Sequence, residues 1–152
     1  MPPEGRELLC AIGQRLGRPE MFERAFDLHE YEEGKSFEAA GFEVTPHRVL
    51  HYDLVAFGFR ASANGTVVGY SGDSGPSEGL RDIARNADLF VCEATLLQPN
   101  PEGGTRGHLS AVEALEASEA AGAKRLLLTH RPLERPLENG FELARDGLEI
   151  DV

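Results

Sequence analysis

The spacing of apolar residues changes along the chain, and each change predicts a different kind of element. Within Glu4–Leu16 the apolar residues Leu8, Leu9, Ile12 and Leu16 recur at helical intervals, which predicts an amphipathic helix. Gly17-Arg18-Pro19 ends it, and a short second helix is expected over Glu20–Arg24. Phe26–Tyr31 carries a weak strand pattern. From Lys35 to Arg60 the period falls to two. Phe37, Phe42, Val44, Val49, Leu54, Val55, Phe57 and Phe59 are interrupted by Gly34, Ala40-Gly41 and Pro46, the pattern of a β-meander.

Beyond the meander the chain alternates strand and helix. Thr66–Tyr70 lies between the turn signals Asn64-Gly65 and Ser71-Gly72. Ser77 can cap a helix with Leu80, Ile83, Ala84 and Ala87 on one face, and Leu89–Cys92 reads as a buried strand. Leu97–Arg106 is a Pro/Gly-rich loop. Ser110 then caps a second helix, with Glu113 in the capping-box position, and Gly122 closes it. Ala114, Leu115, Ser118 and Ala121 form that helix's packing face. Lys124–Thr129 follows as a buried strand, Arg131–Asn139 as loop, and Gly147–Val152 as a final edge strand. The class is α/β, in one domain over residues 1–152, without internal repeats.

This order of elements gives the polar residues at strand ends their interest. Parallel strands joined by a helix emerge at the same edge of a sheet, so Asp73 and Glu93 should come together. His130 follows the next strand in the same way, and His108 sits on the loop between them. Gly72-Asp73-Ser74-Gly75 can be read as a turn whose acid caps the next helix, as a serine nucleophile at Ser74, or as a metal-bridging carboxylate. The serine reading needs more chain and a β-rich setting, whereas here a helix follows directly. His51, with His47 nearby, is carried by the meander; a lone histidine there is more often a surface or core residue than a ligand. Asp, Glu and His at consecutive strand ends converge on one small volume, as a metal or acid–base site requires.

Composition narrows the function further. A net charge of −11 over 152 residues argues against a nucleic-acid-binding surface on this chain alone, since phosphate contacts need a basic patch. Cys10 and Cys92 both lie in apolar contexts and behave as small hydrophobes, not as a disulfide framework. No apolar run is long enough to span a bilayer, and no signal-peptide pattern opens the chain, so a cytoplasmic setting without membrane contact is expected.

Four separated segments carry a family resemblance. FEVTPHRVLH leading to AFGFR, YSGDSGPSEGLRDIARNADLFVCEAT, GHLSAVEA and RLLLTH resemble, in that order, the C-terminal half of the metallo-β-lactamase-fold hydrolases, closest in pattern to their ribonuclease Z-like branch. The resemblance implies an αββα sandwich, of which this chain would carry the second half: a mixed sheet with outer helices. It implies His51, Asp73 and His130 as metal ligands, with Asp73 bridging two ions, and His108 oriented by Glu93 as the catalytic pair. Zinc is the implied cofactor, two ions per complete site, with manganese or iron as substitutes. The substrate would be a small molecule or phosphodiester, cleaved by a metal-activated water.

The family's first metal motif, His-x-His-x-Asp-His, has no counterpart in the sequence, and Pro2-Pro3-Glu4-Gly5-Arg6-Glu7-Leu8 resembles the family's middle. The chain is therefore expected to be a partial domain, to bind metal weakly or not at all by itself, and to pair with the missing N-terminal half or with a second copy. The alternative is a non-catalytic remnant serving as an interaction or oligomerisation module.

Overall fold

The computed structural model describes residues 1–99, 105–132 and 140–152. Residues 100–104 and 133–139, within the two expected loops, lie outside the described residues. The meander forms β1 (Phe37–Ala39), β2 (Phe42–His51), β3 (Leu54–Ala63) and β4 (Thr66–Tyr70), each antiparallel to the one before. Helix α3 (Glu78–Ala84) then leads to β5 (Leu89–Glu93), and α4 (Ala111–Ala121) to β6 (Leu126–Thr129). Both of these later strands pair in parallel, giving a six-stranded sheet in sequence order. The mixed α/β architecture predicted from the periodicities is the one observed.

The register explains where the core sits. Val49, Gly58, Gly69, Phe90, Cys92 and Leu128 fall on the sheet face that receives α3 and α4. Leu80, Ile83 and Ala84 of α3 and Ala111, Ala114 and Ala121 of α4 close over them, buried. Helix α4 starts on the expected capping box: the Ser110 hydroxyl accepts from the Glu113 N–H, and the Glu113 carboxylate accepts from the Ser110 N–H at 2.9 Å. It ends at Gly122 in the left-handed conformation, φ 71°.

Three expectations are corrected. Phe26–Tyr31 is not a strand, because its backbone is taken by the N-terminus: the Met1 ammonium donates to His29 O at 2.7 Å and Tyr31 N–H to Met1 O at 2.9 Å. Gly147–Val152 is not an edge strand either. The open edge of β6 is occupied upstream, where Leu128 N–H donates to Glu142 O and Ala144 N–H to Leu128 O, at 2.9 and 2.8 Å. Ser77 stands at the start of α3 but makes no cap; its hydroxyl lies 3.4 Å from that of Ser74. Helices α1 (Gly5–Arg15) and α2 (Met21–Ala25) form as predicted, yet the apolar stripe of α1 faces outward, with Leu8 and Leu16 each 62% exposed. No helix among the described residues is long and apolar enough to cross a membrane.

Candidate active site

Turns at the C-terminal ends of β4, β5 and β6, with the β2–β3 hairpin, bring the candidate residues to one rim of the sheet. The chain leaves β4 through Ser71 and Gly72. Gly72 has φ +60°, and a Cβ there would lie 2.7 Å from the Phe57 carbonyl, so only glycine turns Asp73 outward at this point. The Gly75 N–H donates to Leu50 O at 2.6 Å, tying this loop to the end of β2 and so to His51.

Glu93, at the end of β5, is almost fully buried at 1% side-chain exposure. A buried carboxylate must be met by donors, and three are in place. The Ser74 N–H donates to Oε1 at 3.0 Å, the Thr95 N–H to Oε2 at 2.9 Å, and His108 Nδ1 lies 2.8 Å from Oε1. Two of these donors are backbone amides, so Glu93 is held rigidly and in turn orients the His108 ring. With Nδ1 donating to the carboxylate, Nε2 faces away from it.

His130 follows β6 in the left-handed conformation, φ +53°, uncommon for a non-glycine residue and suggestive of a constrained position. The Thr95 hydroxyl donates to the His130 carbonyl at 3.0 Å and lies 3.1 Å from its Nδ1, which is also 3.1 Å from Asp73 Oδ1. His51 Nδ1 lies 2.9 Å from the Gly107 carbonyl. A carbonyl can only accept, so this nitrogen carries the proton and Nε2 of the neutral ring keeps its lone pair. The three imidazoles stand in a row: His51 to His108 is 5.1 Å between ring centroids, and His108 to His130 is 5.4 Å.

The structure thus brings together all five residues singled out from the sequence: His51, Asp73, Glu93, His108 and His130. Ligand-type atoms of Glu93, His108 and His130 lie within 4.8 Å of one another. The donor set is nitrogen and carboxylate oxygen on rigid elements, with Asp73 and His130 half-exposed, which suits a zinc-type ion. Both Glu93 oxygens are already occupied by protein donors, which fits an orienting partner of His108 better than a ligand.

The other candidates separate from this group. Ser74 is fully buried, and its hydroxyl donates to the Gly75 carbonyl at 2.6 Å, so it has neither the exposure nor the basic partner of a nucleophile. His47 faces α3, where burial lowers its pKa against an opposing pull from Asp82. Burial pushes the Cys92 thiol up to about 12, so it stays protonated behind Glu93. Sequence reasoning passed over Thr95, Tyr52 and Gly107. Thr95 was visible two residues after Glu93, but its bond to His130 crosses two strands and has no local signature.

A family model for the beta-lactamase superfamily domain matches residues 3–131. A ribonuclease Z of Archaeoglobus fulgidus is 34% identical over 132 residues, covering 78% of this chain and 40% of its own length. The chain spans about two fifths of the length of the first curated relatives it matches. The metallo-beta-lactamase fold protein YhfI from Bacillus subtilis superposes with a TM-score of 0.70 at 22% identity, over 85% of this chain and 60% of that one. Zn(2+)-bound PqqB from Methylobacterium extorquens gives 0.69 at 17% identity, over 99% and 63%. These two structural likenesses speak to the fold.

Proposed function

The chain belongs to the beta-lactamase superfamily, and on that premise we propose that it is the C-terminal part of a metal-dependent hydrolase acting on phosphodiester- or ester-type bonds. The observation that carries this reading is the buried His108–Glu93 pair, 2.8 Å apart, with the His51 and His130 rings on either side of His108. The ribonuclease Z relatives and the zinc named for PqqB support it.

In this reading His51, Asp73 and His130 would hold metal ions of zinc type, with manganese or iron as substitutes. Such ions, when bound, polarise the scissile centre and lower the pKa of a water. The chain's own contribution is the proton. Glu93 fixes His108 with Nδ1 toward itself, so that Nε2, on the far side of the ring, is placed to deliver a proton to the leaving oxygen. The Ser74 and Thr95 amides hold Glu93 immobile while this happens.

Three ligands are too few to hold two ions firmly, so the remaining ligands come from a further segment carrying His-x-His-x-Asp-His. We assign that segment to the apolar sheet face away from α3 and α4, where Tyr70 is 46% and Val55 55% exposed. The acidic, disulfide-free composition suits a cytoplasmic setting. The open apolar face also favours a second reading, a non-catalytic module that uses this face for association alone.

The test joins the chain to an N-terminal half bearing that motif, by fusion or co-expression. Metal content is read by mass spectrometry and turnover on bis-p-nitrophenyl phosphate. Both should appear, and Asp73→Ala should remove both together. His108→Ala should spare the metal and lower turnover by about 10²–10⁴, the usual contribution of a general acid. Metal binding and association without turnover on any ester or phosphodiester would leave the interaction module standing instead.

A further inference from the structure

The β2–β3 hairpin turns through two residues, Tyr52 and Asp53, with His51 paired to Leu54. Tyr52 has φ +52° while Asp53 does not share the positive φ. A two-residue turn of this kind prefers glycine at its first central position, and a bulky residue there is strained. The ring is also half-exposed, at 49%, so burial alone does not account for its being there. What it touches does. A Cβ on Gly107 would lie 2.3 Å from the Tyr52 ring, so the ring rests flat against that backbone. The Tyr52 N–H donates to the Arg106 carbonyl at 3.3 Å. Ring centroids place it 5.0 Å from His51 and 5.8 Å from His108.

We propose that Tyr52 is a positioning residue: its ring clasps the backbone at Gly107, and the Gly107 carbonyl in turn fixes His51 in the Nδ1–H tautomer with Nε2 free. The consequence for metal rests on the function proposed above, in which His51 is a ligand. The clasp itself does not. Strain held in the turn is thereby exchanged for a defined ligand orientation, as outer partners of metal-binding histidines achieve elsewhere.

The experiment reads the His51 ring nitrogens by NMR in the metal-free 152-residue chain, in wild type, Tyr52→Gly and Tyr52→Phe. Wild type and Tyr52→Phe should show Nδ1–H, since the ring and not its hydroxyl does the holding. Tyr52→Gly relieves the backbone but removes the clasp, so His51 should drift toward the Nε2–H form common in free histidine. A turn residue without positioning duty would leave His51 unchanged in Tyr52→Gly, and that result overturns the proposal, as does loss of the signature in Tyr52→Phe. Gly107→Ala, whose methyl group meets the ring, gives the same readout if Tyr52→Gly does not fold. In the protein joined to its N-terminal half, Tyr52→Gly should bind zinc about tenfold more weakly than wild type, the lower end for loss of an outer partner. Absence of metal in the wild type would count against the proposed function, while the tautomer in the metal-free chain judges the clasp by itself.

Discussion

The two faces of the sheet are built from the same alternating strands and end up in opposite states. On one face Val49, Phe90, Cys92 and Leu128 lie under α3 and α4, each exposed by 4% or less. On the other, Phe57, Phe59, Val68 and Val91 are only partly covered and Tyr70 is 46% exposed. Tyr31 reaches this second face, meeting Phe57 and Phe59 edge-on at 5.3 and 5.4 Å, but a single ring covers little. Composition does not separate the faces, since the open one is as aromatic as the closed one. Among the described residues the difference lies in what covers each: two helices for one, and for the other a coil segment. An apolar face left this open marks a docking surface more often than a tolerated defect.

The sharpest way to break this contrast is to put a charge on each face. Leu128→Asp places a carboxylate where the side chain is 1% exposed and no partner waits, a cost of several kcal/mol that should abolish soluble expression. Tyr70→Asp, on the open face, should leave the chain folded, with stability changed by about 1 kcal/mol or less. Urea unfolding followed by circular dichroism decides it. If Tyr70→Asp is as damaging as Leu128→Asp, the second face is covered after all.

A smaller change asks the same question of packing. Gly69 faces α3, and a Cβ there would lie 2.8 Å from the Ile83 carbonyl and 3.2 Å from Phe90 Cδ2. Helix and strand backbone cannot both give way, so Gly69→Ala should cost about 1–3 kcal/mol from overpacking. Val68→Ala, next to it but pointing to the open face, removes two carbons and should cost about 1 kcal/mol or less, because the site is already partly solvated. Adding one carbon to the closed face would then hurt more than removing two from the open one. Unfolding midpoints of the two variants, measured side by side, test that order.

How legible all this was in the sequence depended on the range of the cause. β4, α3, β5, α4 and β6 came within a residue or two, because their periodicity and capping signals are local; Ser110 and Glu113 are three residues apart and cap as read. The convergence of Asp73, Glu93, His108 and His130 was also readable, since parallel topology alone brings strand ends to one rim. What escaped was non-local. Phe26–Tyr31 looked like a strand, but Met1 claims its backbone. The stripe on α1 marked its helix, but nothing local could say that its face would stay exposed. Tyr52 carries no motif at all; its role rests on Gly107, which is brought against it only by the fold.

The smallest expected effect concerns the cover itself. Helix α4 is fastened at its start by Glu113, whose side chain is 14% exposed and bonded to Ser110 and, at 2.7 Å, to Arg106. Burial alone would raise the Glu113 pKa, but the bonds from the Ser110 backbone, Arg106 and the Ser110 hydroxyl outweigh it, and the net shift is below the ordinary 4.5. A carboxyl depressed on folding lends stability that is fully present above its unfolded value and is lost as pH falls through its folded value. The closed face should therefore loosen in acid from the α4 side, below about pH 4.5. Glu113→Gln keeps the size but not the charge, and should lower stability at neutral pH by about 1 kcal/mol, the scale of a helix cap. Its unfolding midpoint should then change less than that of wild type between about pH 6 and pH 3.5, because the proton it would have taken up has nowhere to bind. Equal acid sensitivity in the two proteins would move the cause of acid loosening away from α4.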